Sequence, residues 1–67
     1  MASAAEQLAS NISLASFSKA IELDPAYARA YYNRGRVYFQ MGQKNKARED
    51  YDKAVDLDPR LRHRRDR

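Results

Sequence analysis

Read as a helix, residues 25–41 place Arg29, Asn33, Arg36 and Gln40 along one side, with Tyr32 and Phe39 at its edges. The chemistry open to such a stripe is non-covalent recognition. A guanidinium grips a carboxylate through two parallel N–H···O bonds. The side-chain amides of asparagine and glutamine pair with peptide groups. Tyrosine and phenylalanine add stiff apolar area. Covalent chemistry has no such footing. The chain holds one histidine, His63, no cysteine, no glycine-rich phosphate loop and no grouping of nucleophile, base and acid. His63 lies in the arginine-rich tail, where metal binding would need other ligands nearby, so neither a catalytic site nor a cofactor or metal is expected.

Two other charged stretches compete for attention. Residues 60–67, RLRHRRDR, hold five arginines against Asp66. Such a run gives salt-dependent affinity for phosphates, which makes nucleic acid or an anionic surface an alternative partner. No base-reading motif adjoins it, and a solubilising end is the plainer reading. Lys44, Lys46, Arg48, Glu49, Asp50, Asp52 and Lys53 form the second stretch. It reads as a solvated helix face with local pairs such as Glu49 with Lys53. The Arg29–Gln40 stripe also has a plainer reading, a wetted helix face in a structural mini-repeat without a dedicated ligand.

These residues are positioned by a repeated phrase. FSKAIELDP (residues 17–25) returns as YDKAVDLDP (residues 51–59), 34 positions later. A period of that size marks stacked helical units. Ser13, Phe17, Ala20 and Ile21 recur at helical spacing, as do Ala47, Tyr51, Ala54 and Val55. Asp24 reads as a helix N-cap with Pro25 in the first turn. Gly42 reads as a helix stop, and Ser3 with Glu6 has capping-box spacing. The expected fold is all-α: three antiparallel helices at about 3–23, 25–41 and 43–57, forming a domain over residues 1–59, followed by a basic tail at 60–67. Tyr27, Tyr31, Arg34 and Tyr38 fall on the core side of the second helix. Leu8, Ile12 and Leu23 lie on a different face of the first helix from Phe17, Ala20 and Ile21. A helix apolar on two faces suggests two partners, its own repeat and a second copy of the chain.

The totals agree. Sixty-seven residues with a formal charge of +4 make one small, marginally stable domain. No run approaches the roughly 20 apolar residues of a membrane span, and the N-terminus has no basic region before an apolar one. A cytoplasmic protein is the default expectation.

The middle of the chain resembles a tetratricopeptide repeat (TPR), in which aromatic and small residues recur in a 34-residue unit. Tyr31, Gly35 and Tyr38, then Ala47, Tyr51 and Pro59, stand at that family's spacings. The resemblance covers residues 28–61 as one full repeat and residues 10–27 as the second helix of a partial one. Arg34 stands where the family prefers leucine, and the pattern does not continue into the tail. The resemblance implies that Gly35 sits where two helices touch. It also implies that the second helix lines a concave, peptide-binding face, with Arg29, Tyr32, Asn33, Arg36, Phe39 and Gln40 as the contact set. The Asn33-Arg34 pair is similar to that of repeats that clamp a terminal carboxylate, although such a clamp draws on several repeats. The implied role is a non-catalytic module that binds a peptide, or assembles with itself or another repeat protein.

Overall fold

A computed structural model describes residues 4–62, the side chains of Glu6 and Gln7 excepted. It contains three helices, α1 (Ala4–Leu23), α2 (Ala28–Gln40) and α3 (Lys44–Leu57), and a closing 3₁₀ turn, Pro59–Leu61. No strand occurs among the described residues. The capping-box pair Ser3/Glu6, His63 and the tail beyond Arg62 lie outside the described residues or side chains.

The α2–α3 corner follows from one glycine. Gly42 adopts a φ of +86°, which a residue without Cβ reaches at no steric cost. Its N–H donates to the Phe39 carbonyl at 3.0 Å, and the next N–H, of Gln43, donates to the Tyr38 carbonyl at 2.9 Å. This double bond pattern is a Schellman closure, and it reverses the chain.

The α1–α2 corner differs from expectation. Asp24 does not cap α2, and α2 begins at Ala28 rather than Pro25. The Asp24 carboxylate instead accepts a bond from the Ala26 N–H at 3.1 Å, and the Asp24 carbonyl accepts one from the Tyr27 N–H at 2.9 Å. An aspartate followed by proline can build a side-chain-closed turn as well as a cap, and here the chain needs those residues to reverse direction. Tyr27 therefore precedes the helix and is 47% exposed, off the core side assigned to it. The second Asp-Pro does initiate a helical turn. Asp58 accepts from the Arg60 N–H at 3.1 Å and caps the 3₁₀ turn.

Helices α2 and α3 run antiparallel. Tyr32 meets Tyr51, Arg34 meets Asp50, and Tyr38 meets Lys46, so numbers rise on one helix as they fall on the other. They approach closely because the contact line is built of small residues, Ala30, Gly35, Ala47 and Ala54, all buried. A Cβ on Gly35 would lie 3.1 Å from the Ala47 carbonyl oxygen and 3.1 Å from the Tyr51 ring. Helix α1 lies against α2. The assembly is 16 Å thick in its shortest direction, close to a single layer of helices. Accordingly, no large side chain among the described residues is fully buried.

Asp50 overturns a second expectation. It is 6% exposed, not part of a solvated face. Its carboxylate accepts two bonds from Arg34, from Nε at 2.8 Å and from an Nη at 2.9 Å, while the other Nη donates to Ser18 Oγ of α1 at 3.2 Å. The guanidinium also lies 5.8 Å from each of the Tyr31 and Tyr38 ring centres. Arg34 thus ties all three helices together, and its bond to Asp50 raises its pKa against the opposing effect of burial. Where the repeat pattern favours leucine, this chain places a paired charge inside the layer.

Candidate functional site

The outward side of α2 carries the six residues singled out from the sequence, and the structure divides them. Asn33, Arg36 and Gln40 come together. Successive turns of α2 align them, and with Ser13, Phe17 and Val37 they line a shallow cleft of about 220 Å³ between α1 and α2. The walls are unlike. Phe17 and Val37 are its apolar residues, and Ser13, Asn33, Arg36 and Gln40 supply hydroxyl, amide and guanidinium groups. Arg36 is exposed and makes no ion pair among the described residues.

Arg29 stands apart. It is exposed in the first turn of α2 and borders a different opening, at the end of the molecule where the two Asp-Pro corners meet, beside Asp24, Asp58 and Arg60. That opening has both signs of charge. Arg60 donates to Asp58 at 2.9 Å and 3.1 Å, which holds the Asp58 carboxyl below its usual range. Arg60, the first arginine of the basic tail, is thereby paired within the chain.

The two aromatic residues face α3. The Tyr32 ring is half-buried, with its centre 5.3 Å from that of Tyr51 and the planes tilted by 52°. Burial first, then the neighbouring Tyr32, raises the Tyr51 pKa above its usual value, and Arg36 opposes them. Tyr32 is thus part of the α2–α3 packing as well as a border of the outward face. Phe39 is 55% exposed. It shares a shallow depression of about 270 Å³ with Tyr51, Ala47, Lys44, Arg48 and Asp52.

Sequence reasoning missed Ser13 and Phe17 as cleft residues. Their spacing with Ala20 and Ile21 marked the stripe of α1 that meets α2, and a residue at the margin of such a stripe lines whatever gap the two helices leave. It also missed the basic rim that Lys44 and Arg48 add beside Phe39. Among the described residues no group of three or more His, Asp or Glu is placed to hold a metal. No described helix is long and apolar enough to cross a membrane.

Comparison with known proteins gives a consistent result. A family profile described as "Tetratricopeptide repeat" matches residues 28–61, and a second, described as "TPR repeat", matches residues 12–42. Tetratricopeptide repeat protein 6 of Homo sapiens is 40% identical over 43 residues, which is 64% of this chain and 8% of that protein. Serine/threonine-protein phosphatase T of Trypanosoma brucei brucei is 37% identical over 46 residues, 69% of this chain and 10% of that protein. A tetratricopeptide repeat and J domain-containing co-chaperone of Cryptococcus neoformans is 37% identical over 43 residues, 64% of this chain and 8% of that protein. The chain thus spans a tenth or less of the length of these relatives. No solved structure matches it significantly.

Proposed function

This chain belongs to the tetratricopeptide repeat family, whose repeats are typically protein–protein interaction modules, and from that premise we propose that it is a non-catalytic module holding an extended acidic peptide in the cleft between α1 and α2. One observation carries the reading: Asn33, Arg36 and Gln40 line one cleft together with the apolar Phe17 and Val37. In this reading Arg36 takes a carboxylate of the peptide, Asn33 and Gln40 pair with its backbone amides, and Phe17 and Val37 accept one aliphatic side chain. The acidic preference rests on charge. Arg36 is the charged residue lining the cleft, it is exposed, and no carboxylate lines the cleft with it. Tyr32 and Phe39 border the same face and complete the contact set, with Arg29 at its far end.

The test is titration with a short synthetic peptide of alternating leucine and aspartate, read by fluorescence anisotropy. Asn33→Ala and Arg36→Ala should each weaken binding by about 5- to 10-fold, on the order of 1 kcal/mol per lost polar contact, with helicity unchanged. Equal affinity in the wild type and both variants removes these residues from the contact set. A nucleic-acid role for residues 60–67 predicts instead that binding to a random DNA duplex rises above binding to the peptide and falls steeply with salt.

A further inference from the structure

Helix α1 has two apolar sides. Ser13, Phe17 and Ile21 are at least partly covered, as is Leu14. Turned about 180° away from them, Ala5, Leu8, Ile12 and Ala15 are all exposed, Leu8 at 61% and Ile12 at 59%. These four alternate at spacings of three and four residues, the seven-residue pattern of a helix-pairing seam, with small residues at the ends and large ones in the middle. From Leu8 to Ser18 the helix carries no ionisable side chain.

We propose that this seam pairs antiparallel with the same seam of a second copy of the chain, about a two-fold axis near residue 10. Leu8 of each copy then packs on Ile12 of the other, and Ala5 on Ala15. The seam is self-complementary, as an isologous contact requires. Charge favours this face. The outward face of α2 exposes Arg29 and Arg36 and holds no carboxylate, so a two-fold contact there would set cation against cation, and α3 exposes Lys44, Lys46 and Arg48 among Glu49, Asp52 and Asp56 rather than an apolar seam. The α1 seam, with no ionisable side chain from Leu8 to Ser18, is where two copies can meet without setting charge against charge. Charge also selects the orientation. Lys19 is exposed and next in line on the seam, so a parallel pairing would oppose Lys19 to its own copy, whereas the antiparallel register leaves it outside the overlap. Opposed helix dipoles favour the same arrangement. The pairing gives the thin single layer a second layer. It uses the side of α1 turned away from the α1–α2 cleft, so it stands or falls separately from the proposed peptide site.

The experiment is sedimentation of the 67-residue chain from about 10 μM to about 1 mM, a range suited to a small interface of modest affinity. The expected result is a rise from the 7.8 kDa monomer mass toward twice that value, abolished by Ile12→Glu and unaffected by Phe39→Glu, with circular dichroism of both variants unchanged. The chain has no cysteine, which makes single-cysteine variants clean reporters. Ala5→Cys mixed with Ala15→Cys should form the mixed disulfide under mild oxidation, faster by ten-fold or more than either variant couples with itself. A monomer at 1 mM overturns the proposal, whatever else that face takes up. So does a dimer that Phe39→Glu dissolves, or one in which Ala5→Cys couples preferentially with itself.

Discussion

Arg34 and Asp50 form a pair whose members make sense only together. The Arg34 side chain is 21% exposed and that of Asp50 8% exposed, so Asp50 has almost no bulk water to fall back on and Arg34 only a little, and each satisfies the other with two bonds. Removing one partner leaves a desolvated charge. Asp50→Ala should therefore cost about 1–3 kcal/mol in urea denaturation, the lower part of the buried-pair range because Arg34 keeps some solvent. Replacing both, as Arg34→Met with Asp50→Leu, should recover most of that loss. Purely additive single and double variants would show that the two side chains do not act as a pair. Tyr51 supplies a pH prediction. Its folded-state pKa is raised, so the folded chain holds the phenol proton more tightly than the unfolded chain does. That contribution is complete below the ordinary tyrosine pKa of about 10 and is lost as pH rises through the folded value. Absorbance titration of the wild type and of Tyr51→Phe should differ by one phenol that ionises above the ordinary tyrosine value.

At the scale of the elements, much was legible because helix stops and small residues write plainly. The 34-residue period located α1, α2 and α3, and Gly42 fixed the α2–α3 corner. What stayed hidden was which of two local structures a short polar sequence adopts. Asp24-Pro25 satisfies the rules for a helix cap and for a side-chain-closed turn equally well, and the distance between two antiparallel helices decides for the turn. Asp50 was hidden by company. Five of its neighbours between Lys46 and Lys53 are charged, yet it shares a helical stripe with Ala47 and Ala54, and an arginine at a leucine position was the signal that an acid had to lie opposite. The two glycines should fail differently when replaced. Gly42→Ala meets no atom within 4 Å but must hold φ at +86°, which costs about 1 kcal/mol. Gly35→Ala gains helix propensity of about 1 kcal/mol but forces a Cβ against a backbone carbonyl and a ring. A loss of about 1–3 kcal/mol from overpacking should outweigh that gain. Thermal melts of the two variants check both, and a Gly35→Ala chain more stable than the wild type would show that α2 and α3 can separate without cost.

The whole molecule is a thin layer with a small-residue seam inside and unlike surfaces outside. Its α1 side is apolar and uncharged along the seam, and its α2–α3 side carries charges of both signs beside aromatic rings. The six residues read from the sequence as one contact set are, in three dimensions, a cleft trio of Asn33, Arg36 and Gln40, an outlying Arg29, and two rings that lean toward α3. A one-dimensional helical projection cannot show that split, because it depends on where α1 and α3 press against α2. Peptide binding in the α1–α2 cleft is checked most directly by amide-resolved NMR titration with the leucine–aspartate peptide. Saturable shifts concentrated at Ser13, Phe17, Asn33, Arg36, Val37 and Gln40 are expected. Shifts confined to residues 60–67, or to the depression around Phe39, Lys44 and Arg48, would contradict binding in the cleft.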